Sequence, residues 1–143
     1  MTETIAIAAD HGGFELKSLL IKDLQAAGHV VVDLGTHTAD SVDYPDFADA
    51  LAAALKDGRA ARGVLICGSG IGIAIAANRH RHIRAALVHG ETEARLCRQH
   101  NDANVIVFGG RTLGPEIARA CLSVFLSTAF EGGRHARRVA KMG

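Results

Sequence analysis

Short hydrophobic runs recur along the chain and alternate with segments of helical periodicity. The runs are rich in Val, Ile and Ala and occupy residues 4–9, 30–34, 64–67, 85–88 and 105–108. Because polar residues do not alternate with apolar ones inside them, the runs are typical of strands covered on both faces of a parallel sheet. We therefore predict about five buried, parallel strands.

Helical patterns fill the intervals between these runs. The first places Leu16, Leu19, Leu20 and Leu24 on one face and is followed by Gly28, a residue type that often ends a helix. Similar faces follow Pro45 and Pro115, and consist of Phe47, Leu51, Ala54 and Leu55, then of Ile117, Cys121, Leu122 and Phe125. The alternation predicts an α/β fold, a three-layer α/β/α sandwich of Rossmann-like class, whose strand order the pattern does not define.

Composition and charge exclude several classes of protein. The 143 residues are 48% hydrophobic and 22% charged, which is typical of a globular domain and not of a disordered chain. Sixteen basic and 15 acidic residues leave a net charge of +1, and the aromatic side chains are only five Phe and one Tyr. Neither a basic face nor a stacking platform for nucleic acid is indicated. We expect one domain over residues 1–143, ending in a basic segment at 131–143.

Membrane attachment and disulfide bonding are not indicated either. The longest uncharged run, residues 63–78, is too short and too rich in glycine for a transmembrane helix, and the first residues lack the pattern of a signal peptide. Cys67, Cys97 and Cys121 are odd in number and far apart, which is typical of free thiols in a reducing compartment. We expect a cytoplasmic protein.

The ends of the predicted strands carry the polar residues of interest, since ligands of parallel α/β sheets bind beyond the carboxyl ends of the strands. The first strand is followed by Asp10-His11-Gly12-Gly13, which combines a carboxylate and an imidazole with glycines that allow close backbone approach. The same residues are also compatible with a simple turn capped by Asp10.

The third strand ends at a glycine-rich loop that leads into a predicted helix, with the sequence Cys67-Gly68-Ser69-Gly70-Ile71-Gly72. The backbone N–H groups of such a loop and the helix dipole bind anions and favour the thiolate form of a cysteine. The dinucleotide fingerprint and the cysteine-phosphatase loop are both excluded, because each requires a residue other than Ile73 at that position. A tight turn beside a buried cysteine is the alternative.

Further candidates lie near the fifth strand and the C-terminus. Arg111 follows the fifth strand, and His100-Asn101 ends the helical segment before it, where a histidine is often only a cap or a surface residue. Arg134 and Arg138 are four residues apart and would share a helix face, either as a phosphate-binding pair or as a solvated terminus. The histidines His80 and His82 stand among arginines without a neighbouring carboxylate, so we expect no metal site.

Five segments together carry a resemblance that none of them carries alone. They are DHGG at 10–13, DYPDFA at 43–48, ICGSGIGIAIAAN at 66–78, RQHNDANVIVFGGR at 98–111 and EGGRHARRV at 131–139. In this order and spacing, across nearly the whole chain, they resemble the type B ribose-5-phosphate isomerases. That family also includes allose-6-phosphate isomerase and the galactose-6-phosphate isomerase subunits.

The family divides by the residue that acts as the catalytic base. One branch has Cys immediately before the glycine-rich loop, and the other has Glu six positions later. Cys67 followed by Ile73 resembles the cysteine branch. Ser69 stands where that branch often has Thr, and it retains the hydroxyl group.

The resemblance implies an enzyme that interconverts ribose 5-phosphate and ribulose 5-phosphate through a cis-enediolate, without a metal or an organic cofactor. It implies that Cys67 is the base, that His100 shuttles the proton for ring opening, and that Ser69 and Asp10 complete the catalytic set. The implied substrate-binding residues are Asp10, His11, Tyr44, Gly68, Ser69, Gly70, Ile71, Gly72, Asn101, Arg111, Arg134 and Arg138.

The family is dimeric with active sites made from both subunits, so the resemblance also implies a homodimer in which His100 and the basic segment serve the partner's Cys67. A tetramer is left open, and Cys97 and Cys121 are assigned to packing. Two other functions are compatible with the residues: a hexose-6-phosphate isomerase on the same machinery, and a sugar-phosphate sensor without catalysis.

Overall fold

The computed structural model describes residues 2–143 and contains five strands and six α-helices in those residues. The strands are β1 Thr4–Ala9, β2 Val30–Asp33, β3 Arg62–Cys67, β4 Ala85–Leu87 and β5 Val105–Gly109. The helices are α1 Phe14–Ala26, α2 Tyr44–Lys56, α3 Ile71–Asn78, α4 Glu91–Gln99, α5 Pro115–Ser127 and α6 Arg134–Ala140. Each predicted strand is present with bounds that differ by no more than two residues at either end.

All neighbouring strands pair in parallel, in the order β2-β1-β3-β5-β4. The chain moves outward from β1 to β2 on one side and from β3 toward β4 on the other side. The direction of winding therefore changes between β1 and β3, and the crevice at this topological switch point is where ligands bind in open α/β sheets.

Helices cover both faces of the sheet and confirm the three-layer class. One core packs α1, α4 and α5 against side chains such as Ile7, Ile66 and Phe108. The opposite core packs α2 and α3 against the alternate side chains, among them Ala8, Leu65 and Val107. Cys67 belongs to the second core, whereas Cys97 and Cys121 belong to the first.

Two expectations of burial were wrong. The β2 run is not covered on both faces, because β2 is an edge strand and Val30 is 62% exposed. Ile117 does not join Cys121, Leu122 and Phe125 in the core, because Ala118 takes the buried place in the first turn of α5 and Ile117 is 47% exposed.

The ends of the helices follow the expected residues. Gly28 lies beyond the end of α1 with a φ of 91°, a left-handed conformation that favours glycine. Pro45 and Pro115 lie in the first turns of α2 and α5, where a missing N–H costs no hydrogen bond. None of the helices in residues 2–143 is long and apolar enough to cross a membrane.

The sheet has two edges that matter for the site. We call the side where strands end the carboxyl edge and the side where they begin the amino edge. Because the helices run back across the sheet, α4 starts after β4 at the carboxyl edge and ends before β5 at the amino edge. Residues that follow β1, β3 and β5 therefore lie at one edge, and residues that follow α4 lie at the other.

Candidate active site

The crevice at the switch point begins with Asp10, which follows β1 and is only 7% exposed. Its Oδ1 accepts a hydrogen bond of 2.9 Å from the Gly12 N–H and so caps the single 3-10 turn formed by His11–Gly13. The capped-turn interpretation of this segment is therefore correct as local structure. The cap also fixes the Asp10 carboxylate at the mouth of the crevice.

Cys67 is the last residue of the neighbouring strand β3 and is 4% exposed. The chain then turns through Gly70, whose φ of 79° is left-handed, and enters α3 directly at Ile71. Ser69 Oγ accepts a hydrogen bond of 3.2 Å from the Ile71 N–H, whereas the N–H groups of Gly70 and Gly72 donate to no acceptor within residues 2–143. The thiol thus stands at the N-terminus of an eight-residue helix.

Close backbone packing holds this loop against the segments after β1 and β5. A side-chain carbon at Gly12 would lie 2.9 Å from the backbone N of Gly68, so only glycine fits there. Gly110 donates to the carbonyl oxygen of Cys67 at 2.8 Å, and Arg111 donates through its backbone N–H to that of Gly68 at 2.9 Å. The geometry of the loop is therefore set by main chain and not by mobile side chains.

Three polar side chains lie around the loop. The Arg111 guanidinium lies over Gly68, where an added side-chain carbon would be 3.4 Å from its Nη1. The Tyr44 ring, at the start of α2, packs on Gly72. His11 Nδ1 accepts the Val42 N–H at 3.2 Å, so the proton of the neutral ring resides on Nε2 and is available to a ligand.

An ion pair between a buried lysine and an exposed aspartate, which the sequence reasoning missed, supports the Asp10 side of the crevice. Lys17 is 2% exposed, and its Nζ lies 2.8 Å from Asp33 Oδ1, which also accepts the Gly35 N–H at 3.0 Å. The segment after Asp33 pairs with the end of β1, since the Ala9 N–H donates to the Gly35 carbonyl oxygen at 2.8 Å and the Thr36 N–H donates to the Ala9 carbonyl oxygen at 2.7 Å. The sequence signal that could have indicated this ion pair is Lys17 itself, a charged residue within the apolar face of α1.

The other candidates lie at the amino edge. His100 ends α4, and its ring stacks on His135 of α6 with centroids 4.3 Å apart and planes inclined by 11°. Asn101 lines a cavity of about 570 Å³ together with Val139 of the same helix. Arg134 and Arg138 are exposed on α6, which the sequence placed on one helix face. We call His100, Asn101, Glu131, Arg134, His135 and Arg138 the amino-edge cluster.

Within one chain, the residues that the sequence predicted as one site therefore form two separate clusters. Asp10, His11, Tyr44, Arg111 and the loop 67–72 come together as the carboxyl-edge cluster, whereas His100, Asn101, Arg134 and Arg138 form the other. The five residues of β5 separate the two edges by roughly 16 Å, at about 3.3 Å of rise per residue. Within one chain, His100 is not placed beside Cys67.

Two groups of side chains bear on metal binding. His80 does have a carboxylate partner, since its Nε2 lies 2.8 Å from Asp49 Oδ1, and the sequence could not show this contact between α2 and the end of α3. His100, Glu131 and His135 place three ligand atoms within 4.8 Å of one another. Their imidazole rings are stacked nearly parallel, however, so the in-plane lone pairs do not converge on one ion.

The remaining thiols are suited to packing. Cys97 and Cys121 are free and buried. Burial raises the pKa of Cys97 to about 11 and also raises the pKa of Cys121, so both stay protonated near neutral pH. The assignment of these two cysteines to the core is confirmed by their place in it.

The fold and the carboxyl-edge cluster define an α/β protein with a thiol and a glycine-rich loop at its switch point. The chain matches the family model described as Ribose/Galactose Isomerase over residues 5–142. Ribose-5-phosphate isomerase B of Escherichia coli is 44% identical over 135 residues, which cover 94% of this chain and 91% of that protein. D-erythrulose-4-phosphate isomerase of Pectobacterium atrosepticum is 43% identical over 141 residues, covering 98% of this chain and 93% of that protein.

Solved structures agree with these relatives. The crystal structure of a ribose 5-phosphate isomerase from Thermotoga maritima matches with a TM-score of 0.96 at 48% identity, covering 98% of this chain and 97% of that one. The chain belongs to the ribose/galactose isomerase family, and it is a sugar-phosphate isomerase.

Proposed function

We propose that the chain interconverts ribose 5-phosphate and ribulose 5-phosphate, with Cys67 as the base that moves the carbon-bound proton. The observation that carries this proposal is the position of Cys67, at the end of β3, at the switch point and at the N-terminus of α3. A helix N-terminus favours a thiolate, and a thiolate is the basic form of cysteine.

The proton transfer follows from this placement. The Cys67 thiolate takes the proton from C2 of the open-chain aldose, and the C1 carbonyl oxygen becomes the anionic oxygen of a cis-enediolate. The N–H groups of Gly70 and Gly72 and the Ser69 hydroxyl stabilise that charge. The hydroxyl proton on O2 then passes to O1, and the thiol returns its proton to C1, so that C2 becomes the carbonyl carbon of the ketose. Atoms and charges balance through proton transfer alone, so the step requires no electron acceptor.

The substrate's phosphate and ring require further groups. His11 and Arg111 of the carboxyl-edge cluster donate hydrogen bonds to the phosphate, together with Arg134 and Arg138. Ring opening breaks the C1–O4 bond of the furanose: the anomeric hydroxyl loses a proton and the ring oxygen gains one. His100 shuttles this proton, with Asp10 and Asn101 orienting the sugar hydroxyls and Tyr44 bordering the pocket.

The division of these groups between two edges supports a homodimer in which the amino-edge cluster of one protomer completes the carboxyl-edge cluster of its partner. An apolar surface suitable for such an interface lies beside the loop. Helix α3 is apolar nearly all around, yet Ile71 and Ile75 are 56% and 55% exposed.

Complementation tests the shared site directly. Cys67→Ala and His100→Ala proteins, each with a small residual activity alone, are mixed, unfolded and refolded together. Half of the dimers formed at random are mixed, and each mixed dimer has one intact site and one with both lesions, so the mixture should regain roughly a quarter of wild-type activity. No recovery in a mixture shown to contain mixed dimers would contradict the shared site.

A substrate panel tests the reaction itself, with ribose 5-phosphate, allose 6-phosphate, galactose 6-phosphate and erythrulose 4-phosphate compared by kcat/KM. We expect the pentose phosphate to be the best substrate. The four-carbon ketose phosphate is the second candidate, because the Pectobacterium relative named for it is as similar to this chain as the Escherichia coli isomerase is. A hexose phosphate converted faster than the pentose would overturn the proposal.

We also propose that the enzyme acts in the cytoplasm. The support is the set of three free, buried thiols, which is typical of a reducing compartment. Fractionation of the producing cells, with the chain followed by an antibody, tests this assignment.

A further inference from the structure

Two residues without a role in the proposed function, Glu131 and His135, contact His100 directly. The stacked rings of His100 and His135 lie 4.3 Å apart between centroids. Glu131 Oε1 lies 3.8 Å from His100 Nε2 and 3.6 Å from His135 Nε2. One carboxylate therefore faces the same nitrogen of both rings.

The backbone brings this group together through a tight turn. Glu131 donates its N–H to the carbonyl oxygen of Gln99 at 3.1 Å, immediately before His100. Gly132 and Gly133 then adopt left-handed φ values of 69° and 56°, which favour glycine, and His135 donates to the Gly132 carbonyl at 3.0 Å. The turn thus folds α6 back onto the end of α4.

The three side chains differ in exposure. His135 retains 9% of its side-chain exposure, whereas His100 retains 40% and Glu131 retains 50%. Burial lowers the pKa of His135 below its ordinary value, and His100, Arg134 and Arg138 lower it further, while Glu131 opposes the shift. His135 is therefore mostly neutral near pH 7 and adds no charge of its own to the stack with His100.

The other charged groups near His100 do not compete for it. Close to His100 in the chain, Arg98 Nη1 lies 2.9 Å from Asp102 Oδ1, so these two residues form an ion pair with each other. From α6, Arg134 and Arg138 are exposed, and as cations they cannot replace Glu131 as the ion-pair partner of His100. The contacts that restrict the His100 ring thus come from Glu131 and His135.

We propose that Glu131 and His135 are positioning residues that hold the His100 imidazole in a fixed orientation relative to Arg134 and Arg138. The proposal rests on the proposed function, in which His100 opens the sugar ring and the two arginines bind its phosphate. Because His135 stacks on His100 and lies on the same helix as the arginines, it fixes the distance between the ring-opening group and the phosphate ligands. Misplacement of a catalytic group by about 1 Å can cost 100-fold in rate.

The chemistry of the two sugars separates this role from a general structural one. Ribose 5-phosphate is a furanose in solution and must be opened before its C2 proton can be removed. Ribulose 5-phosphate cannot close a five-membered ring, since the oxygen on C5 is esterified, and it reaches the enzyme as an open chain. Exchange of its C1 proton with solvent requires Cys67 and no ring opening.

The experiment compares Glu131→Gln, His135→Ala and His135→Phe in two assays on the refolded full chain. One assay follows conversion of ribose 5-phosphate, and the other follows exchange of the C1 proton of ribulose 5-phosphate in deuterated water by NMR. We expect Glu131→Gln and His135→Ala to lose about 10- to 100-fold in aldose turnover and to stay within about twofold of wild type in ketose exchange. His135→Phe, which keeps a flat buried ring, should recover most of the loss of His135→Ala.

A double-mutant comparison and a control complete the test. In a His100→Ala background, Glu131→Gln should cause no further loss of aldose turnover, because a positioning residue acts only through the residue it positions. Glu116→Gln, a change of the same type at an exposed side chain of α5, should leave both assays unchanged. Equal losses in both assays, or additive losses with His100→Ala, would overturn the proposal. A wild-type chain that catalyses neither reaction would instead refute the proposed function.

Discussion

At the carboxyl edge the site is made largely of main chain, whereas at the amino edge it is made of long side chains. Gly12 and Gly68 are in backbone contact there, and Cys67 and Asp10 are 4% and 7% exposed. At the other edge, Arg134 and Arg138 project from a helix of seven residues. The comparison teaches that the surroundings of Cys67 are preformed in the fold of one chain, whereas Arg134 and Arg138, the proposed phosphate ligands, project from its surface.

The largest effect on activity is expected from substitution of Cys67 at the carboxyl edge. Cys67→Ala should lower kcat by about 10²–10⁴-fold, as expected for removal of a general base, while sugar phosphate still binds. Cys67→Ser should be almost equally poor, because an alcohol is far less acidic than a thiol. The measurement is exchange of the C2 proton of ribose 5-phosphate with deuterated water, with Cys121→Ala as a control that remains active. Near wild-type exchange by Cys67→Ala would exclude the thiolate base.

Substitution of Gly70 tests how tightly the backbone of the carboxyl-edge loop is packed. An alanine there would adopt a left-handed conformation and approach the Phe108 carbonyl oxygen to 3.0 Å, so we expect a loss of about 2–4 kcal/mol in the free energy of unfolding. Gly58→Ala is the matched control, because Gly58 has a similar φ of 76° with open space around it. The control should lose only about 1–2 kcal/mol. Equal losses, measured by urea unfolding, would show that the loop is less tightly packed than described.

Substitutions in the amino-edge cluster should change KM more than kcat. Arg138→Ala removes one charged donor to the phosphate, which should cost about 1.5–3 kcal/mol of binding, or roughly 10- to 150-fold in KM, with less change in kcat. Arg137→Ala, on the same helix and equally exposed, should leave KM nearly unchanged. The two variants are compared at low and at high salt, since exposed charges are screened. An unchanged KM for Arg138→Ala would contradict phosphate binding and favour the alternative, in which Arg138 is only a solvated residue of the C-terminal segment.

The smallest effect concerns the thiols outside the site. Because the pKa of Cys97 is raised to about 11, its protonated form persists from neutral pH to well above pH 8, and the same direction holds for Cys121. Iodoacetamide at pH 8 should therefore modify Cys67 alone, and saturating sugar phosphate should slow that reaction. Peptide mapping by mass spectrometry checks the site. Rapid modification of Cys97 in the folded chain would contradict its burial.

The sequence was most informative where a short local pattern was enough to predict an element. The strands, the glycine at the end of α1 and the loop after Cys67 follow from local patterns, and the residues of the carboxyl edge could be found because parallel strands end together. The pairing of Lys17 with Asp33 and of Asp49 with His80 was not predictable, since each joins segments more than ten residues apart. The same is true of the stacked His100 and His135, although Glu131 and His135 at i and i+4 were a visible signal.

The roughly 16 Å between the two edges has a further consequence for the proposed shared site, which is that activity should depend on protein concentration. A site assembled from opposite edges of two chains exists only while the chains are associated, so dilution below the dissociation constant removes activity without unfolding either chain. Specific activity should then rise and saturate with concentration while the circular dichroism stays constant. In the proposed site the substrate contacts both protomers through its phosphate and its carbonyl. It should then shift that curve to lower concentration, so that the sugar phosphate stabilises the assembly that converts it.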